Sequence, residues 1–178
     1  MYQNVLFLVG LLLIGTVTAE STPSWGGDIT GSKWIRDNKY FRRDTISQLE
    51  LHCTPYIGHD TSGIPSISED GITYFPAWNG RLYGIHIDTC ETVFNITIES
   101  ITGVQGDIAR TTPTIWGNDI ILGAGQGAIA NGANMFSLNR YTGVVNWVTL
   151  VDDHPAAIIT TSPTIGPDGV VFGGVASR

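Results

Sequence analysis

An all-β chain of repeated four-stranded antiparallel units is predicted from three observations. A short motif returns three times, as Ile64-Pro65-Ser66-Ile67, Thr112-Pro113-Thr114-Ile115 and Ser162-Pro163-Thr164-Ile165. Each copy runs through a turn into a short apolar stretch: Asp70-Gly71-Ile72-Thr73-Tyr74-Phe75, Asn118-Asp119-Ile120-Ile121-Leu122-Gly123 and Asp168-Gly169-Val170-Val171-Phe172-Gly173. The apolar positions alternate with period two, where a helical repeat would show period 3.6. The prolines at 65, 113 and 163 lie 48 and 50 residues apart. A period of about 40 to 50 residues with several short strands per unit indicates a β-propeller or a related array.

The elements follow in chain order. Val5 to Val17 is almost wholly apolar and ends in the small residues Val17-Thr18-Ala19. It reads as a secretory signal peptide over residues 1–19, and the chain is expected to be secreted, with no stable membrane span after cleavage. The alternative is an uncleaved anchor, for which the run is short against the roughly 20 residues of a span. Residues 20–63 are expected to form an N-terminal segment and a strand that closes or precedes the first blade. Lys33, Arg36, Lys39, Arg42 and Arg43 cluster there, as a solvated basic loop or as a contact for an anion or polymer.

Residues 64–178 hold the repeats, over 64–98, 112–150 and an incomplete 162–178. Downstream of the first proline strand, Arg81 to Phe94 aligns without gaps on Asn134 to Trp147. This places Thr89 on Thr142, Cys90 on Gly143 and Phe94 on Trp147. Each segment reads as strand, tight turn, strand, with a small residue where the backbone reverses. A unit is therefore four strands, a propeller blade, and the chain holds about two and a half of them. Two blades and half of another do not close a ring of the usual four to eight. The chain is thus expected to be a fragment whose exposed edges need the missing blades or another chain to cover them.

The second unit carries a longer loop, Gly123 to Asn134, whose Gly123, Gly125 and Ala128 fit a G-x-G-x-x-A dinucleotide pattern. That pattern needs a helix to follow, with its N-terminal amides facing a pyrophosphate. Asn131-Gly132 interrupts any such helix, so a Gly-rich hairpin is the expectation.

Composition excludes several functions. The formal net charge of −7 argues against a nucleic-acid partner. His52, His59, His86 and His154 show no metal-ligand spacing such as H-E-x-x-H, so no metal residues are assigned. No serine sits in a G-x-S-x-G elbow. Asn95-Ile96-Thr97 is the one N-glycosylation sequon, consistent with export.

Four longer motifs carry a family resemblance: Trp25-Gly26-Gly27-Asp28, Tyr74 to Tyr83 (YFPAWNGRLY), Gly106 to Pro113 (GDIARTTP) and His154 to Pro163 (HPAAIITTSP). Together they resemble the tryptophan-docking repeat of quinoprotein propellers, which use pyrroloquinoline quinone, and the wider chain resembles polyvinyl-alcohol-dehydrogenase-like proteins. The resemblance spans about Trp25 to Ser177. It implies a piece of an eight-bladed ring, with the quinone over the central channel beside a calcium ion, and oxidation of a small or polymeric alcohol. The acidic calcium ligand would fall just beyond Ser177 and the aspartate base further on, so neither is assigned. The chain alone is expected to be inactive. The second reading is a binding or scaffold propeller that has lost the cofactor.

In a propeller the first strand of each blade lines the channel. The residues three before the blade prolines are Ser62, Arg110 and Thr160. Resembling enzymes hold the quinone carboxylates with an arginine and a threonine near such positions, which makes Arg110 and Thr160 the candidate cofactor residues. The alternative for Arg110 is a structural pairing with Asp107. The resemblance also implies that the aromatic of one blade docks on the turn glycine of the next, so that Phe94 meets Gly143. One blade earlier, Cys53 stands where the docking aromatic would lie and Cys90 replaces the turn glycine. The dock thus makes Cys53 and Cys90 neighbours and a disulfide between them the expectation, against two unrelated buried thiols.

Overall fold

The computed structural model describes Trp25, residues 42–125 and residues 132–176. The expected signal peptide, most of the basic cluster and the tip of the Gly-rich loop lie outside these residues.

Two four-stranded antiparallel sheets and a hairpin follow one another along the chain. The first sheet orders as β1 (Ser66–Ile67), β2 (Ile72–Ala77), β3 (Arg81–His86) and β4 (Thr92–Thr97). A helix, α1 (Ile98–Thr102), leads to the second: β5 (Thr114–Trp116), β6 (Asp119–Ala124), β7 (Ala133–Asn139) and β8 (Val145–Asp152). The third unit is the pair β9 (Thr164–Ile165) and β10 (Val171–Phe172). Every strand pairs with its sequence neighbour, so these are meander blades. The antiparallel pairing of β6 with β7 excludes the parallel sheet that a dinucleotide fold requires.

Repeated turn chemistry explains the matching registers. In blade one the β3–β4 turn closes with the Cys90 N–H donating to the His86 carbonyl at 2.8 Å; in blade two the Gly143 N–H donates to the Asn139 carbonyl at 2.9 Å. Both residues are left-handed, at φ 61° for Cys90 and 71° for Gly143, and Cys90 is the sole non-glycine with positive φ among the described residues.

Residues 42–63 hold a 3-10 turn at Ile46–Gln48 and otherwise irregular chain, and most of the remaining segment expected to hold a strand, residues 20–41, lies outside the described residues. The five-residue α1 was not expected; Thr97 caps it by accepting from the Ser100 N–H, and Gly103 ends it in the left-handed region.

The core sits between blades, because both faces of each sheet are covered. Tyr74, Leu82, Ile98, Leu122, Phe136 and Leu138 form the layer between blades one and two. Ile121, Met135, Ile159 and Ile165 form the next layer. The other face of blade one, with Phe75, Ala77, Tyr83 and Ile85, is covered by Ile57 of the N-terminal strap. Burial of each large apolar side chain contributes roughly 1.5–3 kcal/mol. Strand β8 differs: Trp147, Val148, Leu150 and Val151 are all exposed. No helix among the described residues is long and apolar enough to cross a membrane.

Candidate functional site

The recurring proline motif builds a ladder of hydroxyls between blades. The Ile64 N–H donates to Thr112 Oγ1 at 3.1 Å, and the equivalent Thr112 N–H donates to Ser162 Oγ at 3.0 Å. Two residues on, the Ser66 hydroxyl donates to the Pro113 carbonyl, and the Thr114 hydroxyl to the Pro163 carbonyl. In blade two, then, the hydroxyl before the proline receives from the preceding blade, and the one after it donates to the next. Ser66, Thr112 and Thr114 are all buried, so each bond also satisfies a group removed from water.

This ladder sets the inner segments of three blades side by side and leaves a cleft of about 420 Å³. Ser62, Arg110 and Thr160 all line it, together with Trp25, Thr112 and Ser162. The volume lies within the roughly 300–1,000 Å³ of small-molecule sites.

Each of the three residues is positioned by its neighbours. Ala109 bridges to Ala124, and the Thr111 hydroxyl accepts from the Gly123 N–H at 3.1 Å, so Arg110 is pinned between two fixed residues. Ile158 exchanges two backbone bonds with Ala176, and Thr161 accepts from the Gly174 N–H at 2.8 Å, which pins Thr160 in the same way. The Ser62 hydroxyl accepts from Trp78 Nε1 at 3.0 Å.

Arg110 spreads its guanidinium over the Trp78 ring, 4.6 Å from the centroid. Its Nε is buried and has no hydrogen-bond partner. A buried donor without a partner is costly, and a carboxylate is the acceptor that a guanidinium pairs with best. Asp107, the alternative partner, accepts from the Thr102 hydroxyl at 2.9 Å and from the Ile108 N–H at 2.9 Å.

The donor set suits an anionic, carboxylate-bearing ligand: a guanidinium on an aromatic floor, with hydroxyls on either side. Among the described residues, none that lines the cleft carries a carboxylate of the kind calcium takes. Trp78 was missed as a site residue. Its signal was an aromatic at the head of the Trp78-Asn79-Gly80 turn, where burial alone gives little reason for one.

His86 and His154 serve turns. His86 Nδ1 accepts from the Asp88 N–H at 3.3 Å, and His154 Nδ1 from the Ala156 N–H at 3.2 Å. Gly123 is explained by packing: a Cβ there would lie 2.3 Å from Ile159 Cγ2. Cys53 and Cys90 are joined as a disulfide with Cα atoms 5.7 Å apart, tying the strap to the turn of blade one.

No family model matches the chain, and no curated protein sequence matches it. Solved structures do. The quinohemoprotein alcohol dehydrogenase from Comamonas testosteroni superposes with a TM-score of 0.69 at 18% identity, covering 89% of this chain and 23% of that one. A quinohemoprotein alcohol dehydrogenase from Pseudomonas putida HK5 gives 0.51 at 14% identity, covering 62% of this chain and 20% of that one. The chain therefore spans less than a quarter of the length of either structure. At such identities the likeness shows the fold alone: this chain folds as successive blades of a β-propeller.

Proposed function

We propose that this chain is the N-terminal part of a secreted quinoprotein-like alcohol dehydrogenase, and that its cleft holds the carboxylate edge of pyrroloquinoline quinone. The observation that carries the reading is Arg110: a pinned guanidinium with a buried, unpartnered Nε, facing a small-molecule cleft that Thr160 also lines. Bound quinone would supply the electron acceptor for alcohol oxidation. Arg110 would pair with a carboxylate through charge-assisted bonds, Thr160 would donate its hydroxyl, and Trp78 would keep the guanidinium flat and partly shielded from water. Among the described residues the cleft lining offers no carboxylate to act as a base or to hold calcium, which supports the reading that the chain by itself turns over no alcohol. Further blades, or another chain, would cover the exposed face of β8. Export is supported by the apolar N-terminus and by the exposure of Asn95, the proposed glycosylation site, on β4.

Titration of the chain with the quinone, with and without calcium, tests this. Saturable binding is expected, and Arg110→Ala should weaken it by about 1.5–3 kcal/mol. Thr160→Ala should weaken it less, because its hydroxyl is neutral and exposed. Affinity unchanged in both variants removes these residues from the site.

The absence of carboxylates among the described residues that line the cleft favours a second reading, a scaffold propeller without cofactor. It predicts no quinone binding by a chain whose circular dichroism shows it folded.

A further inference from the structure

His52, Cys53 and Cys90 meet where the strap crosses the turn of blade one. Their ligand atoms, a ring nitrogen and two sulfurs, all lie within 4.8 Å of one another. Sequence spacing hides this group, because Cys90 stands 38 residues from His52 and only the strap's path brings them together.

The two walls are held apart from the disulfide. On the turn side, the Cys90 N–H donates to the His86 carbonyl at 2.8 Å. On the strap side, Asn79 Nδ2 donates to the Ile57 carbonyl at 2.8 Å, and Ile57 packs on Tyr83 and its neighbours. His52 Nε2 lies 3.3 Å from the Asp88 carbonyl oxygen, a contact that orients the ring. Opening the sulfur–sulfur bond therefore leaves both thiols and the imidazole in place.

Two thiolates and an imidazole at this spacing are zinc ligands. Bond lengths of about 2.3 Å to sulfur and 2.0–2.1 Å to nitrogen, at tetrahedral angles, separate the ligand atoms by roughly 3.5–3.8 Å. The nitrogen already lies within 4.8 Å of both sulfurs, and the sulfurs must part from bonding distance on reduction to reach that separation. Half-exposure leaves the fourth position to water. Sulfur ligands select a thiophilic cation over calcium or magnesium.

We propose that the Cys53–Cys90 disulfide and His52 form a thiol-gated site for a zinc-class divalent cation. An external dithiol or phosphine reductant supplies two electrons and two protons are taken up, breaking the S–S bond to give two thiols. Binding of the cation to both sulfurs and the imidazole then releases those two protons. The oxidised form has no thiolate to offer and does not bind.

The test uses the whole chain, reduced anaerobically with a phosphine and titrated with Co²⁺ as a spectroscopic stand-in for zinc. Expected are one equivalent bound, a thiolate-to-cobalt charge-transfer band, tetrahedral ligand-field bands in the red, and displacement by Zn²⁺. His52→Ala should weaken binding at least tenfold, Cys90→Ser should abolish the spectrum, and the oxidised chain should show none. A reduced chain without these bands, an oxidised chain that binds equally, or a His52→Ala variant with unchanged affinity overturns the proposal. Near-UV circular dichroism is followed in parallel: reduction that unfolds the chain with no recovery on adding metal also overturns it.

Discussion

Phe94 lies against Gly143: the ring Cγ of the first blade's outer aromatic is 3.6 Å from where a side chain on Gly143 would begin. Behind the ring stands its cross-strand partner Gly84, where a Cβ would come 2.9 Å from Phe94 Cε1. The aromatic is thus seated between two glycines, one in its own blade and one in the next. The equivalent Trp147 of blade two is 36% exposed, because no corresponding turn covers it among the described residues.

These two glycines are required for different reasons, and substitution separates them. At Gly143 a Cβ would make ordinary contact, so the cost is the left-handed backbone at φ 71°. Gly143→Ala is expected to lower stability by about 1–2 kcal/mol, and Gly143→Asn by less, since asparagine tolerates that region. At Gly84 the ring itself must move, so Gly84→Ala should also perturb the near-UV signal of the Tyr74–Phe94 pair, whose centroids are 6.0 Å apart. Urea denaturation with near-UV circular dichroism distinguishes the two.

Gly123 seals the next interface. Its added Cβ would meet Ile159 Cγ2 at 2.3 Å and Ile159 Cβ at 2.7 Å. The second contact is to a branch point, which no rotamer change relieves. Gly123→Ala is expected to cost about 1–3 kcal/mol by overpacking. It should also loosen the third unit, read as faster amide exchange at Gly174, whose N–H bonds to Thr161. Unchanged exchange and stability would show that the blades separate at no cost.

The blades were legible because they repeat. The alternation of Ile72 to Phe75 and the proline motif marked four-stranded units, and Ser62, Arg110 and Thr160 meet in one cleft because equivalent positions share a radius. What stayed hidden depends on side chains reaching between units. Arg140 finds Asp70 across 70 residues of sequence, and no local pattern marks that pair. Trp78 lies beneath Arg110 for the same reason. The strap lacks a repeat of its own, and residues 42–63 run as irregular chain apart from the turn at Ile46–Gln48.

The pair Arg140–Asp70 makes stability depend on acid. Arg140 Nη1 lies 2.7 Å from Asp70 Oδ1, and the same guanidinium donates through Nε to the Gly117 carbonyl at 3.0 Å. Burial pushes the Asp70 carboxyl up, but hydrogen bonds from Arg140, Ser68 and Tyr141 and the Arg140 charge outweigh it and hold the pKa at about 2. A carboxyl depressed in the folded state stabilises above its unfolded pKa of about 4, and that stability fades as pH falls toward 2. The Asp70 side chain is 39% exposed, so water screens the pair and its contribution is about 1 kcal/mol or less. Asp70→Asn should therefore lower stability slightly at pH 7 and flatten its loss between pH 4 and pH 2. Urea titrations across that range check it, and parallel curves for both proteins would remove Asp70 as the acid-sensitive group.

The hydroxyl ladder gives the sharpest expectation, because its two rungs are chemically alike and serve different interfaces. Thr112 Oγ1 accepts from the Ile64 N–H, and Ser162 Oγ accepts from the Thr112 N–H. Thr112→Val keeps the shape and removes the acceptor, leaving an amide without its partner at the junction of blades one and two. Ile64 is 51% exposed, so water can reach its freed amide and the cost should fall at or below the lower end of the roughly 1–3 kcal/mol of a buried unsatisfied donor. Thr112→Ser keeps the acceptor and loses one methyl group from a site that is 2% exposed, so it should cost less than Thr112→Val. Ser162→Ala frees the amide of Thr112, a residue only 2% exposed, so it should cost about 1–3 kcal/mol as an unsatisfied buried donor. The order expected in urea denaturation is therefore Ser162→Ala, then Thr112→Val, then Thr112→Ser, from most to least destabilising. Amide exchange supplies an independent reading: the Ile64 amide should lose protection in Thr112→Val and keep it in Thr112→Ser. Equal protection in both would remove the Thr112 hydroxyl as the group that joins the blades.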